Sequence, residues 1–184
     1  DRKIILNLSL ENIPNFLTIS RFIITFVVMY MIITQQNIFD IIIVFSIGAL
    51  TDLFDGRLAR RFNWESEFGR KADMVADRFL WVGTASAFVI TFGIEGLLGG
   101  IIGLQLLMIM SREIISAPFV LIAFASGNAL PPARYVAKVN TFIQAFALPA
   151  LILSSIYPFM FYVSLPLSIL CFFAGVVSAL YYLR

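Results

Sequence analysis

The sequence contains no histidine at all and a single cysteine, Cys171, set inside an apolar run. The first absence removes imidazole as a base or ligand, and the second excludes a disulfide framework and a thiolate metal site. Without histidine or a suitably placed lysine, no nucleophilic serine or cysteine constellation can be assembled. Charge is scarce too: only 13% of residues are charged, the net charge is +2, and no basic tract stands apart from the apolar segments. That excludes a nucleic-acid partner. The first apolar run lacks a small-residue cleavage site after it and reads as a retained span rather than a signal peptide. Chemistry is left to carboxylates, cations and hydroxyls.

What is abundant is hydrocarbon. The 184 residues are 60% hydrophobic, and a mean hydropathy of +0.94 places the chain in the membrane class. A helix needs about 20 apolar residues to cross roughly 30 Å of hydrocarbon. Six such stretches occur, near residues 16–35, 38–58, 71–93, 97–125, 134–156 and 159–183. They predict an all-α integral membrane bundle of six transmembrane helices forming a single domain over residues 1–184. Breaker residues separate them: Gln35-Gln36-Asn37, Arg61 to Trp64, Gly93 to Gly100, Ser126-Gly127-Asn128 with Pro131-Pro132, and Tyr157-Pro158. "GLLGG" at 96–100 reads as an external turn, and the phenylalanines, Trp64 and Trp81 as lipid-facing or belt residues. Residues 1–14, which mix Arg2 and Lys3 with apolar side chains, predict a short interfacial helix, the alternative being a disordered end. The chain begins at Asp1 rather than methionine, so a preceding segment or domain is expected. Arginine and lysine fall before span one, between spans two and three, between four and five, and at the end. The positive-inside rule then places both termini and the charged loops in the cytoplasm.

Against that background, residues 51–79, "TDLFDGRLARRFNWESEFGRKADMVADRF", hold four aspartates and five arginines. At about 1.5 Å per residue, Asp52 and Asp55 fall on the last turns of span two, and Asp73 and Asp77 on the first turns of span three. Spacings of three and four put each pair on one helix face. Adjacent antiparallel helices could aim all four carboxylates at one point, where unpaired charges would be costly. An oxygen-only cluster suits Mg²⁺ or Mn²⁺ and not Zn²⁺. The competing reading is a salt-bridged loop in which Arg57, Arg60, Arg61, Arg70 and Arg78 neutralise the aspartates. It does not account for Gly56 and Gly69, which cost a helix up to about 1 kcal/mol each relative to alanine and which a ligand lying on the backbone would explain.

Residues 52–77 read D-x-x-D-G-x-x-A-R, eight residues, then G-x-x-x-D-x-x-x-D. This resembles, letter for letter, the signature of the CDP-alcohol phosphotransferases, membrane enzymes of phospholipid synthesis. The resemblance implies a six-helix bundle, a homodimer, and attack of an alcohol on the β-phosphate of a CDP-linked lipid with loss of CMP. It implies that Asp52, Asp55, Asp73 and Asp77 bind metal, two Mg²⁺ or Mn²⁺ ions, and that Asp77 is also the catalytic base. By the same resemblance Asp52, Asp55, Gly56, Ala59, Arg60 and Gly69 form the nucleotide site. A diphosphate repels a nucleophile, and divalent ions on its oxygens neutralise that charge. A site at the cytoplasmic leaflet lets a water-soluble nucleotide and a lipid tail meet at one boundary.

"NIPNFLTISRF", 12–22, looks like the opening of the subgroup that includes the phosphatidylglycerophosphate synthases. Asn15, Thr18 and Arg21 share a helix face expected to point at the bound phosphates; the plainer reading is a helix start with Asn15 capping and Arg21 snorkelling. "SREII" sets Arg112 and Glu113 inside an apolar segment, where a charge is by default a functional candidate. "ARYVAKVNTFIQ", 133–144, adds Arg134, Lys138 and Thr141 at helical spacing, and similar "RE" and K-x-x-T-x-x-Q patterns occur in the glycerophosphate-using subgroup. Arg112, Arg134, Lys138 and Thr141 therefore predict a pocket for an acceptor bearing its own phosphate, such as glycerol 3-phosphate or an inositol phosphate. The alternative is Arg112 as a structural bridge to Glu113 or a motif aspartate. Measured from Ala125, Arg112 stands roughly 20 Å up the helix. Either span four projects beyond the membrane or Arg112 does not serve the acceptor.

Two other functions share some of these features. An intramembrane prenyltransferase also uses aspartate-rich helices and Mg²⁺, but with more spans and two separated aspartate motifs. A cation transporter also buries carboxylates, but near the midplane and in both halves of the chain.

Overall fold

A computed structural model describes residues 13–62, 67–92, 100–126 and 135–181; within these, side chains at 13–17, 52–74, 77, 92 and 123–124 are outside the description. The interfacial helix expected over residues 1–14 therefore lies almost wholly outside the described residues. All regular structure described is helical: α1 (Ile13–Ile33), α2 (Ile38–Phe62), α3 (Glu67–Phe92), α4 (Ile101–Ile109), α5 (Ser111–Ala125), α6 (Tyr135–Ser154), a 3₁₀ turn (Pro158–Met160) and α7 (Phe161–Leu180). They group into two compact units, Asp1–Thr91 and Phe92–Arg184.

In the first unit α1 turns into α2 through a tight helix stop. The Gln36 amide donates to the Met31 carbonyl (2.9 Å) and the Gln35 amide to the Ile32 carbonyl (3.0 Å), while Gln35 takes the left-handed conformation, φ 52°. This is the Schellman pattern. Asn37 then caps α2, its Oδ1 accepting from the Phe39 amide at 3.0 Å. On α1 the positions Thr18, Arg21, Thr25, Val28 and Ile32 form one buried stripe, the spacing of a helix face packed on its neighbours. Against it lies α3. Phe22 meets the Phe79 ring at 5.4 Å, and Thr91 Oγ1 donates to the Ile32 carbonyl at 3.4 Å. A Cβ added at Gly83 would stand 2.9 Å from Thr25 Cγ2, so glycine there permits the approach. α1 and α3 thus run parallel in steady register.

In the second unit α7 is the hub: α4, α5 and α6 all pack on it, and α4 also packs on α6. Its buried positions, Ser164, Ser168, Cys171, Gly175, Ser178 and Ala179, are all small, which lets helices approach closely where no water drives them together.

The expected stretch 97–125 is not one helix. It breaks at Met110, and α4 and α5 meet at a bend of 46°. The fully buried Gln144 donates from Nε2 to the Ile109 carbonyl at 2.7 Å, and a side chain entering the helix hydrogen-bond ladder is a recognised cause of a kink. α6 and the segment Pro158–Leu180 are each long and apolar enough to cross a membrane, and the bent α4–α5 pair makes a third. Helices stand at the other three predicted places, but their apolar parts, Thr18–Ile33, Ile38–Thr51 and Arg78–Thr91, are shorter. These lengths cover only the residues whose side chains are described.

Candidate active site

The aspartate motif lies wholly in the first unit. Asp52 and Asp55 are on α2, Asp73 and Asp77 on α3, and their side chains are outside the described residues. Backbone register still places them. Phe45 stacks edge-on against Trp81 at 5.3 Å, and Gly48 abuts Leu80, so α2 and α3 are antiparallel neighbours. Continuing that register toward the charged end brings Asp52 opposite residues 75–76 and Asp55 opposite residues 72–73. The parallel register of α1 likewise sets Thr18 and Arg21 beside residues 76–79 of α3. Both are buried, Arg21 completely, and the Thr25 hydroxyl donates to the Arg21 carbonyl at 2.8 Å. Six predicted site residues thus share one level of one helix trio, and the all-carboxylate donor set fits a hard divalent cation. Gly56, Ala59, Arg60 and Gly69 stand on the same two helices, within residues whose side chains are not described. So does Asn15 on α1, while Arg134 lies outside the described residues altogether.

The second unit holds a buried polar cluster. Arg112 Nε and Nη2 both bind Glu113 Oε1, at 2.9 and 2.8 Å. Arg112 Nη1 donates to the Thr141 hydroxyl at 2.7 Å and to the Ala137 carbonyl at 3.1 Å. Gln144 Nε2 donates to Glu113 Oε2 at 2.9 Å. The two side chains of the ion pair are 8% and 3% exposed. Arg112 and Thr141, predicted to act together, are in contact; Lys138 lies on the exposed side of α6. The pairing of Arg112 with Glu113, foreseen as an alternative to a ligand role, is present.

These bonds also fix where Arg112 stands along α6. It meets α6 at Ala137 and Thr141, within the first two turns, while α5 continues from Arg112 to Ala125 for roughly 20 Å.

Comparison with known proteins is consistent with the motif. A family model described as CDP-alcohol phosphatidyltransferase matches residues 11–173. The chain belongs to the CDP-alcohol phosphatidyltransferase family. Among curated relatives, the CDP-diacylglycerol--glycerol-3-phosphate 3-phosphatidyltransferase of Rickettsia typhi is 30% identical over 149 residues, 79% of either chain. The protein of the same name from Rickettsia prowazekii is 30% identical over 148 residues, 79% of this chain and 77% of its own. That of Escherichia coli K12 is 41% identical over 71 residues, 38% of this chain and 39% of its own.

Beside Glu113, which the sequence marks as a charge in an apolar segment, the cluster holds Gln144, noted only as the last letter of a pattern, and Asn140, not singled out at all. All are at least 96% buried. A usable signal was there, since Ala137, Asn140, Thr141 and Gln144 follow the i, i+3, i+4, i+7 rule for one helix face.

Proposed function

We propose that this family member transfers the phosphatidyl group of CDP-diacylglycerol, or the corresponding group of an ether-linked CDP-lipid, to glycerol 3-phosphate with release of CMP. The observation that carries this reading is the α2–α3 register, which brings both halves of the aspartate motif to one level. The names and near full-length similarity of the relatives support the choice of acceptor. Asp52, Asp55, Asp73 and Asp77 would hold two Mg²⁺ or Mn²⁺ ions, which when bound supply neutralisation of the diphosphate charge. Asp77 takes the proton from the acceptor hydroxyl. The freed oxygen forms a bond to the β-phosphorus, the bond from that phosphorus to the bridging oxygen breaks, and CMP carries away the electron pair. Gly56, Ala59, Arg60 and Gly69 receive the nucleotide, and Asn15, Thr18 and Arg21 the phosphates. Arg112, Arg134, Lys138 and Thr141 recognise the acceptor's own phosphate. Since Arg112 is tied to Glu113, the pair is neutral as a unit, and the exposed Lys138 supplies the stronger attraction.

The protein in this reading is a six-span homodimer of the cytoplasmic membrane, with both termini and the site on the cytoplasmic side, as the distribution of arginine and lysine supports. The test is CMP release by purified protein from CDP-diacylglycerol with glycerol 3-phosphate, inositol phosphate, serine or inositol. Release with glycerol 3-phosphate is expected, lost on chelation and restored by Mg²⁺ or Mn²⁺. Asp77→Asn should fold and lower kcat by at least about 10²-fold, the usual scale of general-base loss. Full activity in that variant would remove Asp77 as the base, and release with inositol phosphate alone would replace the acceptor.

A further inference from the structure

Around Arg112 three described side chains keep buried polar atoms without a partner, Ser111 through Oγ, Gln144 through Oε1 and Asn140 through both, and of the two amides only that of Asn140 makes no hydrogen bond at all. Asn140 is 0% exposed, yet neither its Nδ2 nor its Oδ1 has a hydrogen-bond partner. One turn away on the same face, Gln144 leaves only its Oε1 unpartnered. Its Nε2 serves two acceptors, the Ile109 carbonyl and Glu113 Oε2. A buried carboxamide with nothing bonded to it is a stability cost that calls for an explanation, and function is one of the few available.

Its position points to the explanation. Asn140 belongs to the turn of α6 that Arg112 bridges, between the Ala137 carbonyl and the Thr141 hydroxyl. α4 packs on α6, but after the 46° bend the helix packing of α5 is with α7. Arg112 and Glu113 stand at the start of α5, bonded to α6 at Ala137, Thr141 and Gln144, and Asn140 lies on the same face of α6 one turn before Gln144. A guanidinium and a carboxamide on one turn suit a phosphorylated polyol. The cation faces the phosphate, while the amide can donate to and accept from a hydroxyl at once.

We infer that Asn140 is a specificity-determining residue of the acceptor site, whose carboxamide reads the middle hydroxyl of the acceptor, the one that does not react. This rests on the function proposed above and adds the feature by which the acceptor is chosen. Enclosure is part of the device, because an amide out of reach of water is left unpaired by an analogue lacking the hydroxyl. Sites built to hydrogen-bond a substrate hydroxyl discriminate strongly for that reason.

The experiment compares glycerol 3-phosphate with 3-hydroxypropyl phosphate, which keeps the phosphate and the terminal hydroxyl and lacks the middle one. Both are assayed by CMP release with wild type, Asn140→Leu and Asn140→Ala. Wild type is expected to prefer glycerol 3-phosphate by at least about 10²-fold in kcat/KM. In both variants that preference should collapse to within a few-fold, through loss on glycerol 3-phosphate, with KM for the CDP-lipid unchanged. Asn140→Leu should melt no lower than wild type, since it removes an unsatisfied amide. An undiminished preference in folded variants overturns the inference, as does an Asn140→Leu protein that unfolds, because the amide would then be structural. Absence of CMP release by wild type with either acceptor defeats the function reading instead.

Discussion

Gly175 leaves no room for a side chain. A Cβ there would collide with Ser111 Oγ and stand 3.0 Å from the Arg112 amide nitrogen, so α7 lies directly on the start of α5. Gly175→Ala is expected to cost about 1–3 kcal/mol, the range for overpacking a close-packed site, and to lower the thermal unfolding midpoint in detergent. Glu113→Ala should cost more, about 3–5 kcal/mol, because it leaves a buried guanidinium without its carboxylate. The control is Lys138→Ala, which changes an exposed charge and should shift the same midpoint little. Much of this was readable at the residue level, since Arg112 and Glu113 are conspicuous as charges in an apolar stretch. The bonds to Ala137 and Thr141 were not, because they depend on a bend that brings distant residues together. Nor did anything in a sequence rich in buried polar groups mark Asn140 as an amide with both polar atoms unpartnered.

At the scale of the element, the helix ends were more legible than the helix interiors. Gln35-Gln36-Asn37 reads as a turn, and a turn is what joins α1 to α2. What the letters hide is that a glutamine occupies the left-handed position, where most L-residues are strained by roughly 1 kcal/mol or more. Gln35→Gly should relieve that strain, in part offset by the greater freedom of glycine in the unfolded chain. A raised unfolding midpoint is expected; a fall would show that the Gln35 side chain contributes more than the strain. The break at Met110 could not be foreseen, because neither proline nor glycine stands at the bend. Its cause is the Gln144 amide from another helix. Gln144→Leu should therefore both release the Ile109 carbonyl to the ladder and strip Glu113 Oε2 of its donor, lowering stability by about 1–3 kcal/mol.

For the whole molecule, composition and the spacing of apolar runs fixed the class and located every helix described. The motif, by its resemblance to a known signature, pointed to the family that the comparison then established. Sidedness follows from charge distribution and can be measured. Gln36 and Ser126 are both exposed and lie at connections of opposite predicted side. In sealed spheroplasts, Gln36→Cys should react with an impermeant maleimide while Ser126→Cys should not, and the buried Cys171 should remain silent in both. The reverse pattern would invert the topology.

The Arg112–Glu113 pair also constrains the order in which the chain can be made. α4 has nine residues, too few to cross hydrocarbon alone, and α5 opens with a cation and an anion in its first turn. The groups that neutralise and bind them, the Ala137 carbonyl, the Thr141 hydroxyl and the Gln144 amide, are all on α6 and leave the ribosome later. The polar network around Arg112 can therefore close only once α6 has been made, which couples the ordering of the bent segment to the helix that follows it.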